Sequence, residues 1–425
     1  MKKRLDSGFS QIRAFVDRFS WKDIYKPESG IRRFLGVLIL AGIAHGLYKG
    51  VQDNYLAEIV HINEFERGIV EFFRELPGLF IILILAGMYH FSESRIFKIG
   101  VAIMMAGIAG LLIGGSGKVA VVFCMVIYSV GEHIVIPVKS TISMDLAEKG
   151  KGGASLGVSS SVSHIGNIAG YILVTLLFFI FAGLGYQRKD IFQYKVIFAF
   201  SAFLLLCAVL VSAAIKGSAP KNKRRRFYFA KKFSKYYMLE VFYGSRKQIF
   251  LTFAPYVLIL HYGADASLIS FLLAVCSGFG IFLSPLMGKI IDHLGYKFVM
   301  VVDTLILIVV CFFYGFAHRI FPANIAFIVV CVNYVLDSII SLASMASNVY
   351  VQDIASSQEE ITATLSTGVS VNHLISIFIA LMGGWIWKMT GIEVLFSISA
   401  ILGILNSIYA ATIKVPEKHK SPPKT

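Results

Sequence analysis

The sequence predicts an all-α membrane protein, with twelve transmembrane helices in two pseudo-symmetric six-helix halves. Three observations carry this. The 425 residues are 56% hydrophobic and only 15% charged, where a soluble domain carries about 25% charged residues. Apolar runs near the ~20 residues needed to cross a hydrocarbon core recur throughout the chain. A basic segment with no acid, residues 216–235 (KGSAPKNKRRRFYFAKKFSK), separates two such apolar blocks.

The elements follow in order. Residues 1–33 place Phe9, Ile12, Phe15, Val16 and Phe19 on one helical face, the pattern of an amphipathic segment on the inner membrane surface. The first half, 34–215, holds spans at 34–60, 67–90, 96–114, 119–140, 154–182 and 194–215. After the linker the second half, 236–413, holds spans at 236–261, 267–291, 298–317, 324–349, 361–387 and 392–413, and residues 414–425 form a tail.

The formal charge of +15 gathers in the N-terminal segment, the linker and the tail. Under the positive-inside rule these segments stay in the cytoplasm, so both termini are cytoplasmic and the location is the cytoplasmic (inner) membrane. The charge then meets anionic lipid headgroups and not nucleic acid. Cys124, Cys207, Cys276, Cys311 and Cys331 lie inside apolar runs at no metal-like spacing, so packing is their role and no metal or cofactor is expected. Asp6 and Arg13 interrupt what would be a signal-peptide core. The chain reads as a monomer.

Short segments recur in register across the halves. Ser161-Val162-Ser163-His164 returns as Ser370-Val371-Asn372-His373, and Val126-Ile127-Tyr128 as Val332-Asn333-Tyr334. Met144-Asp145-Leu146-Ala147 returns as Gln352-Asp353-Ile354-Ala355. Parallel repeats around a midplane cavity are a transporter architecture.

Between the eighth and ninth spans the chain reads Gly288-Lys289-Ile290-Ile291-Asp292-His293-Leu294-Gly295-Tyr296-Lys297. This resembles the G-x-x-x-D-x-x-G-x-K/R loop of the major facilitator superfamily. The resemblance implies that fold, and a gating loop of Gly288, Asp292, Gly295 and Lys297 that latches the cavity during alternating access. Asp292 would sit at a neighbouring helix N-terminus, held by Lys297. The first-half counterpart, Gly87 to Arg95, keeps the glycine but has Phe91 for the aspartate. Gly166 and Gly170 are followed by Tyr171 where drug/proton antiporters of the superfamily carry proline, and Ile127 replaces their helix 4 arginine, so drug export is set aside.

A charge at mid-bilayer costs about 2.5–3.5 kcal/mol, so membrane charges mark functional pathways. Helix 1 holds Lys49 and Asp53, helix 2 Glu71, Arg74 and Glu75, and helix 4 Glu132, His133 and Lys139. Helix 7 holds Arg246 and Lys247, and helix 10 Asp337. The resemblance implies that helices 1, 4, 7 and 10 line the cavity. Lys49, Arg74, Tyr128, Lys139, His164, Arg246 or Lys247, and His373 are the candidate substrate-binding residues. Asp53, Glu71, Glu132 and Asp337 are the candidate proton carriers, since a desolvated carboxyl holds its proton more readily. The bland alternative is that Lys49–Asp53 and Glu71–Arg74 neutralise each other at ion-pair spacing.

G-x-S-x-G at Gly153–Gly157 opens a membrane helix and not a strand-to-helix elbow, so no enzyme is indicated. The expected function is secondary active transport, proton-coupled, of a small anionic or zwitterionic metabolite. The alternatives are a lipid or amphiphile transporter of the same fold and a transport-dead membrane sensor.

Overall fold

The computed structural model describes residues 24–26, 30–88, 90–187, 189–215 and 228–414. Most of the amphipathic N-terminal segment, including Phe9 to Phe19, most of the basic linker and most of the tail lie outside these residues. Among the described residues twelve long helices run in sequence. The first half comprises α1 (Ile31–Ile59), α2 (Glu64–Gly87), α3 (Glu93–Ile113), α4 (Lys118–Leu146), α5 (Gly152–Gly183) and α6 (Ile191–Ala213). The second comprises α7 (Ser234–Leu260), α8 (Ala266–Leu294), α9 (Tyr296–Ile320), α10 (Ala323–Ile354), α11 (Gln358–Thr390) and α12 (Ile392–Ala411). Among the described residues ten of these are long and apolar enough to cross a membrane. The exceptions are α2 and α7, whose charges Glu71, Arg74, Glu75, Glu240, Arg246 and Lys247 interrupt the apolar run.

Two helices have irregular segments. α1 ends in a π-helical turn, Tyr55–Ile59, and α10 tightens to a 3-10 turn at Ser341–Ser344. Glu58 on the π turn is buried and accepts from Tyr194 Oη at 2.6 Å and Asn54 Nδ2 at 3.2 Å.

The two halves use the same packing scheme. In the first, α1 packs on α5 and α6, α3 on α4 and α6, and α2 on α4. In the second, α7 packs on α11 and α12, α9 on α10 and α12, and α8 on α10. The halves meet along α2 against α11 and α5 against α8. Small residues allow the tightest of these approaches. Gly42 and Gly46 on α1 face Gly166 and Gly170 on α5, where a Cβ on any of them would strike backbone atoms of the other helix.

The duplication extends to the helix ends on the linker side. The C-terminal carbonyls of α6 accept from Arg33 (Ala214 O, 3.2 Å) and Lys98 (Ile215 O, 2.9 Å). Those of α12 accept from Lys235 (Thr412 O, 2.6 Å) and Lys297 (Ile413 O, 3.0 Å). Cations belong at helix C-termini, where unpaired carbonyls concentrate partial negative charge.

This corrects the gating-loop expectation. Lys297 does not hold Asp292, which is exposed; it caps α12 instead. Gly295, with φ at +84°, reverses the chain between α8 and α9, a conformation only glycine adopts freely. Lys297 therefore starts α9, which packs on α12, while Asp292 stays on the end of α8. Gly288 lies within α8 with open space beside it. Tyr296 of the same loop donates to Asp353 Oδ2 at 2.9 Å.

Away from the linker face the halves close on each other. Asn54 Nδ2 donates to Ala264 O (3.0 Å), Tyr256 Oη to Ile62 O (2.9 Å) and Ser270 Oγ to Gly50 O (2.9 Å). Gly68 on α2 meets Gly384 on α11 with no room for a side chain on either.

A charge network and a cavity between the halves

α2 carries Arg67, Glu71, Arg74 and Glu75 at spacings of three and four, which puts them on one face. That face is buried against α1, α4 and the second half. Asp53 Oδ1 accepts from Arg67 Nε at 3.0 Å, and Arg67 Nη1 donates to Glu71 Oε2 at 2.9 Å. Arg74 donates to both oxygens of Glu71 (2.9 and 2.5 Å) and to Glu75 Oε1 (2.5 Å), and lies 3.9 Å from Glu132. His45 Nδ1 stands 3.3 Å from Glu132 Oε1 and 2.9 Å from Tyr128 Oη. Two hydrogen bonds among the described residues cross from the second half: Gln248 Nε2 donates to Glu71 Oε1 (3.2 Å), and His373 Nδ1 is 2.7 Å from Glu75 Oε2. A buried charge is tolerated when partners surround it, and here nearly every one is surrounded.

The predicted Lys49–Asp53 pairing does not form. Asp53 is taken by Arg67, which reaches it from α2. Lys49 feels the fields of Arg74, Glu132, Glu71 and Asp53 without a hydrogen bond or ion pair among the described residues. The Glu71–Arg74 pairing is as the spacing predicts.

A cavity of about 640 Å3 opens between α5, α7, α8 and α10, from mid-helix toward the linker face. Lys247, Asp337, His164 and Tyr334 line it, with Ser160, Ser161, Ser277, Ser284, Ser338 and Ser341. Its apolar wall is Phe250, Leu251, Leu273, Ile281 and Leu342. Lys247 and Asp337 have no hydrogen bond or ion pair among the described residues. Of the adjacent cations on α7, Lys247 faces the cavity. Arg246 turns away, 3.6 Å from Asp303 on α9 and over the Tyr243 ring.

The candidate residues thus divide into two groups. Lys247, His164 and Asp337 share the cavity. Asp53, Glu71, Arg74, Glu132, Tyr128 and His373 belong to the network, with Lys49 beside it. Lys139 joins neither; its Nζ lies 3.4 Å from Ser163 Oγ on α5. Arg67, buried to 2% exposure, escaped the sequence reading, as did His45 and the role of Gln248. The spacing of Arg67 to Glu71 was a usable signal. Nothing local marks Gln248, whose partner is on another half.

No curated protein sequence matches this chain. Solved structures do resemble it. The nucleoside transporter NupG superposes with a TM-score of 0.70 at 13% identity, over 90% of this chain and 98% of that one. A D-xylose-proton symporter gives 0.71 at 15% identity, over 92% and 99%. A POT family transporter in complex with 5-aminolevulinic acid gives 0.69 at 11% identity, over 89% and 94%. A family model, the Major Facilitator Superfamily, matches residues 34–355 and 236–425. Repeat, packing scheme and family match agree, and the chain belongs to the Major Facilitator Superfamily of membrane transporters.

Proposed function

We propose that this transporter moves a small zwitterionic or anionic metabolite by alternating access, coupled to protons, across the cytoplasmic membrane with both termini inside. One observation carries the reading: Lys247 and Asp337, of opposite charge and without a hydrogen bond or ion pair among the described residues, face a single cavity between the halves. A buried charge without a partner is costly, and a solute that brings the counter-charge relieves that cost. Lys247 suits a carboxylate or phosphate, and the serine hydroxyls and His164 suit its polar remainder.

Asp337 is the proton carrier in this reading. A carboxyl in a partly dry cavity has two accessible states, and the occupied site favours one of them. With the linker inside, as this reading has it, the closed seam away from the linker face and the cavity toward it make the state inward-facing. The nucleoside and xylose carriers of like fold and the POT family transporter in complex with 5-aminolevulinic acid support a polar solute, and a symporter among them supports proton coupling.

The test is a thermal-shift screen of purified protein against amino acids, dipeptides, nucleosides, sugars and organic anions at two pH values, followed by uptake into proteoliposomes. Stabilisation by charged solutes, lost in Lys247→Ala, supports the reading. Stabilisation by uncharged sugars alone, unchanged in Lys247→Ala, overturns it. A second reading, an amphiphile with a charged head, is favoured by the apolar wall of Phe250, Leu251, Leu273, Ile281 and Leu342. Stabilisation that grows with acyl-chain length in the same screen selects it.

A further inference from the structure

Glu75 on α2, His133 on α4 and His373 on α11 present a carboxylate oxygen and two imidazole nitrogens within 4.8 Å of one another. The transport reading uses none of them, and the trio spans the seam between the halves. Sequence spacing alone indicated no metal, because these residues are far apart in the chain.

The local chemistry suits a cation. His133 Nδ1 lies 2.8 Å from the Ser129 carbonyl oxygen, which can only accept, so Nδ1 carries the proton. The Nε2 lone pair is therefore free to coordinate, the orientation that metal-bound histidines are given by their outer partners. Gly78 keeps the space on the α2 side open, since a Cβ there would strike His133 Nε2 and His373 Cε1. Arg74 engages Glu75 Oε1 and leaves Oε2 to the cluster. Around the trio, Asp53, Glu71 and Glu132 match Lys49, Arg67 and Arg74 in number, so with neutral histidines the negative charge offered to a cation is that of Glu75 itself. His373 is 23% exposed, so the trio is not sealed within the protein.

We propose that Glu75, His133 and His373 form a binding site for a divalent transition metal, with zinc the best chemical match, that ties α2 and α4 to α11. Two imidazoles and one carboxylate with an open fourth position are a zinc-type donor set, and they discriminate against magnesium, which prefers oxygen ligands. Occupancy holds the halves in the arrangement described above and opposes their separation along this seam.

The test uses the purified full-length chain, stripped with chelator. Zinc raises the melting temperature and magnesium does not. Cobalt added in its place produces the visible absorption of a tetrahedral site. His133→Gln and His373→Gln each weaken zinc binding at least about tenfold, the scale on which even outer-shell partners of metal ligands act. His164→Gln, outside the trio, leaves the response intact. Cobalt absorbance reports coordination directly, so a variant of altered stability remains informative. Equal stabilisation by magnesium, no cobalt band, or an undiminished zinc response in both His133→Gln and His373→Gln overturns the site. None of these readouts depends on which solute is carried.

Discussion

Arg246 and Lys247 are neighbours on α7 with opposite destinations: the Arg246 guanidinium stands 3.6 Å from Asp303 inside the second half, while Lys247 opens into the cavity. A helix turns about 100° per residue, enough to send adjacent cations to a packed interface and to a hollow. Lys247→Ala is expected to fold normally and to weaken binding of a charged solute by about 1.5–3 kcal/mol, the range of a charge-assisted hydrogen bond. Arg246→Ala is expected to leave Asp303 buried alone and to destabilise the protein by about 3–5 kcal/mol. Ligand titration and thermal unfolding of the two variants separate these outcomes.

Asp337 has no hydrogen bond or ion pair among the described residues, unlike the carboxylates of the network. Asp337→Asn is expected to abolish accumulation driven by a pH gradient while preserving exchange of solute across the membrane. Counterflow and gradient-driven uptake, measured on one proteoliposome preparation, make the comparison. Gradient-driven accumulation at the native level in the variant removes Asp337 from coupling.

Gly68 and Gly384 let α2 and α11 touch at the closed end, where a Cβ on Gly384 would strike the Glu64 and Phe65 backbone oxygens. Gly384→Val adds volume where none is free, and overpacking costs about 1–3 kcal/mol. The closed end should open, shifting the conformational equilibrium by about 5- to 150-fold. Accessibility of cysteines introduced along α2 and α11 reads the shift directly.

Outside the membrane spans, Glu360 accepts from Lys232 Nζ (2.7 Å), the Ser356 amide (2.7 Å) and Tyr228 Oη (2.5 Å). Hydrogen bonding by Lys232, by that amide and by Tyr228 lowers its pKa from 4.5 to about 2. A carboxyl lowered on folding contributes stability above its unfolded pKa and loses it as pH falls. The window therefore runs from about 4.5 down to about 2. Transport profiles between about pH 5 and 8 should be the same in Glu360→Gln as in the native chain, apart from a uniform loss where the linker end is loosened. A shifted profile midpoint in that variant contradicts the assignment.

Much of the fold was legible because insertion energetics are local. Apolar runs set the spans, and Ser161–His164 with Ser370–His373 exposed the repeat. The same repeat misled where side chains leave the shared scheme. His164 and His373 occupy matching places, yet one lines the cavity and the other faces Glu75 and His133. Lys49 and Asp53 have the spacing of a pair, yet Arg67 from the next helix takes the acid. The expected Asp292–Lys297 contact gave way to a helix cap on α12.

By itself the sequence determined that this chain crosses a membrane many times, that it is two related sextets of helices, and which residue types the lipid would have to tolerate. Those properties add up residue by residue along the chain, so no distant contact is needed to read them. Only the tertiary structure decided which charges cancel and which stay available. Gln248 with Glu71, and His373 with Glu75, meet across a seam between segments far apart in sequence. Coulomb energy depends on separation in space, and that separation is set by how the helices pack.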